Sequence, residues 1–560
     1  MCGLRSSSDR LTSYWSVVSP DKSAAELDAE QWLVVVPIGR ERYLPRLCAV
    51  PFQRWMLFVA AFIAQFCNGS LYAWSILNDK IDAALGSGDG RQKAVVTFYI
   101  ACGFLGLASS VFGPFVERHG PRASLFVGTA LFFVGNVVAF VSVEFKCYYS
   151  LYAGYGVCAG LGFGINYIAP VSALQKWYPD LRGTAGGVAV CGFGAGAAVW
   201  GALYEPLAAA VGIGRVFLVM GTGVSLILVL MACVLRTPPP EYIVRGRDVH
   251  GLKVTSALLE KDGQSPPNHL ATYNHPSASS NTNSDERVSA VLGDFQIINY
   301  VKVFDYHEEE LGEAEILYHN KIKNLRLREC IWSIDFGILY LVFLTTVVTG
   351  IICMSRVYNM AQDIYGVVNR DASNLVMLLA VFNFLGRLLC PILSDGLIRV
   401  ATLNPAFGRK LVLAAISVIQ CILLLVLPSV VRNPATYSTF QGLMFVLTFT
   451  YGGALGTIPS LLTDMYGVYN TGTMHGVILT CWSLSAVVGG LTFTWIFDSY
   501  GSAQKVDAYV FNFCWLLYLA IAGTVLLPLV RTNPVDRFFP GYQYSLFGRP
   551  IYRRIKHDYE

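Results

Sequence analysis

About twelve apolar stretches, each long enough to cross roughly 30 Å of hydrocarbon as a helix of some twenty residues, constrain this chain more than any other feature. They are read near 52–77, 94–116, 123–144, 148–174, 183–208, 213–235, 332–355, 372–394, 410–430, 437–461, 472–497 and 507–530. The predicted fold is an all-α polytopic membrane protein with its spans in two sets of six. Composition agrees. Of 560 residues, 54% are hydrophobic and 14% charged, with a mean hydropathy of +0.50, where a soluble domain carries about a quarter charged residues.

The spans divide the chain into an N-terminal tail (1–51), a six-helix bundle (52–235), a linker (236–331), a second six-helix bundle (332–530) and a C-terminal tail (531–560). With both termini cytoplasmic, basic residues on the inside and its flanks outnumber those outside about two to one, so the bias favours that orientation. Arg40, Arg42, Arg46 and Arg54 before the first span, and Lys321, Lys323, Arg326 and Arg328 before the seventh, carry most of it. The plasma membrane is the expected location, with an organellar membrane as the alternative. The linker moves from "TPPPEY" through "GQSPPNHLATYNHPSASSNTNSDERVS" to a mixed-charge run, a composition that predicts disorder, with a short amphipathic helix before the seventh span. The 14 cysteines are scattered singly without ligand spacing and read as small packing residues. No metal, cofactor or nucleic-acid partner is expected.

A 6 + linker + 6 plan invites a search for a repeat. "APVSALQKWYPDLRGTAGGV" (169–188) lies without a gap over "IPSLLTDMYGVYNTGTMHGV" (458–477), pairing Pro170 with Pro459, Gly183 and Thr184 with Gly472 and Thr473, and Gly187 with Gly476. Likewise "GPFVERHGPR" parallels "CPILSDGLIR". Corresponding loops on one side describe a parallel duplication about an axis along the membrane normal, the organisation of major facilitator transporters. On these residues the chain resembles that superfamily, and "GPFVERHGPR" resembles its loop-two signature, with Glu117 for the usual Asp and Pro121 interrupting the paired basic residues. "RWMLFVAAFIAQFCNGSLYAWSIL", "LQKWYPDLRGTAGGVAVCGFGAG", "DFGILYLVFLTTVVTGI" and "NFLGRLLCPILSD" resemble its oxalate:formate antiporter and monocarboxylate transporter branch, with nodulin-like relatives. The resemblance implies a midplane substrate site between the halves and no catalytic chemistry.

Two sets of residues follow. At the ends of spans, Glu117 or Asp395 can cap a neighbouring helix N-terminus, while Arg118, Arg122, Arg399 and Arg409 can pair across the cytoplasmic ends. Together they form a latch between the halves or are ordinary solvated loop charges, and the resemblance favours the latch. Deeper in the membrane lies Arg387, eight residues before Asp395, or about 12 Å along a helix. An uncompensated charge there costs about 2.5 to 3.5 kcal/mol even on insertion scales. It either snorkels to the surface or faces an anionic substrate, with Asn383 one turn away on the same helix face. The resemblance implies a substrate-linked arginine at this place. It also puts Trp482 where oxalate:formate antiporters carry a second cation, and Asn383 where proton-coupled monocarboxylate carriers carry an Asp. A monoanion or zwitterion and exchange or uniport are therefore expected.

Gln65, Asn68, Tyr72 and Ser75 on the first span, and Asn166 and Tyr167 on the fourth, either line the cavity or hold helices together. His475 either packs or titrates. Arg356 is expected to anchor at the headgroups. The predicted activity is transport of a small monocarboxylate such as pyruvate or lactate by alternating access. The alternatives are an amino acid, another nutrient or a metal-linked solute as cargo, and, from another class, a non-transporting nutrient sensor or scaffold with the linker as its output.

Overall fold

Lipid offers a peptide group no hydrogen-bond partner, so each long apolar stretch must satisfy its own backbone as a helix. The computed structural model contains twelve such helices among the described residues, which are 14–15, 22–39, 42–44, 50–86, 93–239, 242–245, 247–251, 322, 325–500, 504–537, 539, 541–546 and 549–555. Spans one to six are Met56–Trp74, Ala94–Val111, Gly113–Glu144, Tyr148–Trp177, Arg182–Val211 and Ile213–Val234. Spans seven to twelve are Ile334–Tyr365, Arg370–Val400, Pro405–Val431, Pro434–Tyr466, Thr471–Ser499 and Lys505–Leu529.

Most helices run past the expected hydrocarbon limits, because their ends are set by capping rather than hydropathy. Ser333 accepts from the Phe336 N–H at the start of span seven, and Gly366, with φ +63, ends that span well beyond its predicted limit. Pro405 occupies the first turn of span nine while Asn404 accepts from the Phe407 N–H, a preorganised helix start. Gly120 (φ 73) breaks the third helix ahead of Pro121, so "GPFVERHG" forms a separate turn beneath the rest of span three.

The halves meet along two seams, span five against span eight and span two against span eleven. Small residues let the backbones approach. A Cβ at Gly187 would stand 2.9 Å from the Arg387 carbonyl oxygen, and one at Gly476 would overlap the Ser109 carbonyl. Elsewhere on span five, Gly192 and Gly196 face span one.

The face carrying the termini is built up rather than bare. Arg236, 2% exposed, donates to the carbonyls of Glu30, Trp32, Leu33 and Val234 and lies 4.1 Å from the Phe52 ring. Burial lowers its pKa to about 10, still far above neutrality, so the guanidinium remains charged. This fixes the N-terminal segment, including helix Ala24–Ala29, under spans one and six. At the other end, Arg531 pairs with Asp335 at 2.8 Å, and an antiparallel hairpin, Gly541–Leu546 with Arg549–Ile555, follows. These strands were not foreseen. Most of the linker expected to be disordered lies outside the described residues; a short helix, Leu327–Ile331, precedes span seven.

Candidate functional site

Arg387 is 1% exposed, on span eight where spans five and ten press against it. Its Nε donates to Asn383 Oδ1 at 2.9 Å and one Nη to the Val190 carbonyl, across the seam, at 3.3 Å. The side chain thus points into the protein and does not snorkel. Among the described residues no carboxylate pairs with it. Tyr167, Tyr72 and Tyr451 are its electrostatic neighbours, and the Phe193 ring centroid lies 5.4 Å from its Cζ.

The tyrosines belong to a polar cluster that bridges the halves. Tyr72 and Tyr451 hydroxyls are 3.0 Å apart. The Trp482 indole N–H donates to both, at 3.0 and 2.9 Å. Spans one, ten and eleven therefore converge on three aromatic side chains beside one buried guanidinium. Chemically this offers a single positive charge, hydroxyl donors and aromatic faces, which suits a small anion with an apolar body.

Of the residues singled out in sequence, Arg387, Asn383, Tyr72 and Trp482 come together here. Gln65 and Asn68 do something else: Gln65 Nε2 donates to the Tyr167 carbonyl at 2.6 Å, while its Oε1 accepts from Asn68 at 3.4 Å, joining spans one and four. Asn166 is a correction. Its amide is turned toward span three, where glycine at 128 leaves room for it, and it lies within the first half rather than in the cluster. The Ser75 side chain lies outside the described residues. Tyr451 and Phe193 were missed, although each is an aromatic among glycines in a quoted or apolar span.

His475 is 1% exposed and makes no hydrogen bond among the described residues, with its ring 5.8 Å from that of Tyr167. Arg356 is half-buried near the far end of span seven. It donates to Thr494 Oγ1 and sits 5.3 Å from the Phe493 ring, tying span seven to span eleven.

At the termini face each half caps a helix of the other. Asp395 accepts from the N–H groups of Gly183 and Thr184 at 3.0 and 2.7 Å and from the Thr184 hydroxyl at 2.9 Å. Glu117 accepts from the Gly472 N–H at 2.8 Å and the Ser172 hydroxyl at 2.7 Å, and pairs with Lys176. The capped helices are spans five and eleven, related by the repeat. Anions at helix N-termini satisfy orphan donors and meet the positive end of the dipole. Arg409 buttresses the first cap, bonding Asp395 at 3.0 Å and Asp464 at 2.5 Å, while Arg182 reaches Asp464 across the seam at 2.9 Å. Arg399 crosses to the Asp180 carbonyl at 2.8 Å.

Arg118 and Arg122 both engage the N-terminal segment. Arg118 donates to the Tyr14 carbonyl, and Arg122 pairs with Glu30 at 3.1 Å and Glu26 at 3.6 Å. For Arg122 the acidic partners come from the N-terminal segment of its own half. Lys176, Arg182 and Asp464 were not read as latch residues, although the first two fall in the quoted "LQKWYPDLRG".

Twelve apolar helices in two facing sixes, crossed caps at one face and a buried polar cluster midway define a polytopic membrane transporter. The model of the Major Facilitator Superfamily matches residues 54–490, and the chain belongs to that superfamily. An uncharacterised MFS-type transporter of Escherichia coli, YhjX, is 22% identical over 436 residues, 78% of this chain and 86% of that protein. Human monocarboxylate transporter 14 is 21% identical over 499 residues, 85% of this chain and 91% of that one. The oxalate:formate antiporter of Oxalobacter formigenes is 28% identical over 187 residues, 33% of this chain and 43% of that one. In fold, a bacterial homologue of the iron transporter ferroportin in its outward-facing state superposes with a TM-score of 0.53 at 12% identity, covering 84% of this chain and 98% of that one.

Proposed function

We propose that the protein carries a small monocarboxylate, of the pyruvate or lactate kind, by alternating access, as a uniporter or exchanger. The observation that carries this reading is the buried Arg387 guanidinium without a carboxylate partner among the described residues. A bound carboxylate would offset the cost of that charge, about 2.5 to 3.5 kcal/mol, through a two-point contact. Tyr72 and Tyr451 donate to the same anion once it displaces their mutual hydrogen bond, and Trp482 gives the organic body an aromatic face. One cation here favours a monoanion over a dianion. Asn383 holds Arg387 in place but has no group that ionises, which favours exchange or uniport over proton symport. The relatives named as monocarboxylate transporters and an oxalate:formate antiporter point in the same direction.

The termini face is taken as cytoplasmic from the basic-residue bias. Glu117 and Asp395 then close the inner side, and substrate binding shifts the balance between inner-open and outer-open states.

The test is uptake of labelled pyruvate into liposomes holding the purified protein, wild type against Arg387→Gln, with and without internal pyruvate. Uptake that requires the arginine and accelerates with internal substrate is expected. Absence of uptake by folded wild type refutes pyruvate as cargo and sends the search to amino acids and other nutrients.

A further inference from the structure

A cavity of about 380 Å³ lies beneath the latch on the termini face, apart from the Arg387 cluster. That volume falls in the range of small-ligand sites. Its walls come from the turn before span five, the ends of spans eight to ten with Gly467 and Val468 in the turn that follows, the start of the linker, and Ile322 further along it. Arg182, Arg245, Arg247, Arg399, Arg409 and His250 all line it. Three aspartates line it too, and each is engaged. Asp395 caps span five and pairs with Arg409. Asp464 lies between Arg409 and Arg182. Asp180 accepts from Arg54 at 2.5 Å and stands 3.5 Å from Arg245. Five arginines against three aspartates leave the cavity positive, in a concave setting that focuses the field.

The linker holds its place through the latch itself, since Arg182 donates to the carbonyls of Val249 and His250 at 3.4 and 2.6 Å. His250 also stacks edge-on against Tyr469, 5.0 Å away, in the turn between spans ten and eleven. The linker start therefore crosses from the first half to the second under the closed gate. A ligand in this cavity would touch both halves and the linker at once, contacts available only while the gate is shut.

We propose that this cavity binds a phosphate-bearing anion, and that binding holds the inner gate closed. Guanidinium groups match phosphate oxygens in pairs. The volume and the number of lining arginines suit at least two phosphate groups, whereas a monocarboxylate offers one charge at one point. Because the ligand meets Arg182 and Arg399 together only in the closed form, it favours that form by its differential affinity. The proposal is independent of the identity of the transported solute.

The experiment uses the full-length protein in nanodiscs, titrated calorimetrically with inorganic pyrophosphate at fixed ionic strength, with sodium sulfate as the control. A second arm replaces free pyrophosphate with lipid bearing a phosphorylated inositol headgroup. A third reads alkylation of Cys191, buried in span five at 2% exposure, by site-resolved mass spectrometry. Saturable pyrophosphate binding that sulfate does not reproduce is expected, about tenfold weaker in Arg245→Gln/Arg399→Gln, with Cys191 alkylation slowed in wild type. Both substituted residues are exposed, so the variant should fold. Binding in the lipid arm alone would support the same phosphate chemistry and identify the headgroup as its source. No saturable binding in either arm, equal binding by the variant, or unchanged Cys191 alkylation at saturation would overturn the proposal.

Discussion

Replacing Asp395 by alanine should open the inner gate, and the size of the effect follows from which contacts cross the seam. Asp395 meets Arg409 within its own half, so that pair persists in either state. The bonds to the Gly183 and Thr184 N–H groups and to the Thr184 hydroxyl, at 2.7 to 3.0 Å, join opposite halves and exist only when closed. In the open state water replaces them, so their net value is that of a strong charged N-cap, about 2 kcal/mol, and not the sum of three gas-phase bonds. Since each 1.4 kcal/mol is about tenfold, the open-to-closed ratio should rise about 30-fold. The reporter should be the other cap. The Gly472 N–H stays on Glu117 as long as the gate is shut, so its hydrogen exchange reads the opening without being touched by the substitution. In Asp395→Ala, exchange in the segment 471–475 should accelerate about 30-fold, with lipid-facing helices unchanged. Acceleration confined to residues 183–185 would refute the reasoning, because the caps would then open independently and not as two rigid halves.

Tyr72→Phe and Tyr451→Phe each remove one donor of the aromatic cluster but leave Trp482 a hydroxyl to bond, so pyruvate KM should rise about five- to tenfold while maximal uptake stays near wild type. Gly476→Ala should lower the thermal midpoint through a loss of about 1 to 3 kcal/mol, because the new methyl meets the Ser109 carbonyl; Gly223→Ala, with nothing within 4 Å of its Cβ, should match or slightly exceed wild type. Arg236→Lys loses the guanidinium fork that holds three N-terminal carbonyls, so trypsin should cut at Lys22 markedly faster, with the spans intact by circular dichroism.

The spans were legible because apolar length is a local property, and the duplication because it preserved glycine and proline spacing around 169–188 and 458–477. Helix ends were less so. Span seven runs to Tyr365 because Gly366 takes the left-handed turn there, a position that hydropathy does not mark. Within the site, Arg387 stood out as a charge among apolar residues, and Asn383 followed by helical spacing. Tyr451 did not stand out, since a tyrosine in an apolar span is common and its meaning depends on Tyr72, 379 residues away. The face that Asn166 presents was not legible, because an amide in a nearly all-buried span has no exposed face to orient it. Arg118 and Arg122 were assigned across the seam for want of any signal that Glu26, Glu30 and Tyr14 fold back beneath them.

The crossed caps also determine how closure responds to dissolved salt. The donors that reach Asp395 and Glu117 across the seam are mainly backbone N–H groups in buried or part-buried places, so mobile ions compete for them and screen them poorly. The share of closure that the caps supply should therefore hold nearly constant between dilute and concentrated electrolyte. The exposed Lys80–Glu205 pair on the opposite face is open to such screening. Ionic strength should then act on the two faces unequally, loosening the outer rim of the transporter while leaving the crossed caps in place.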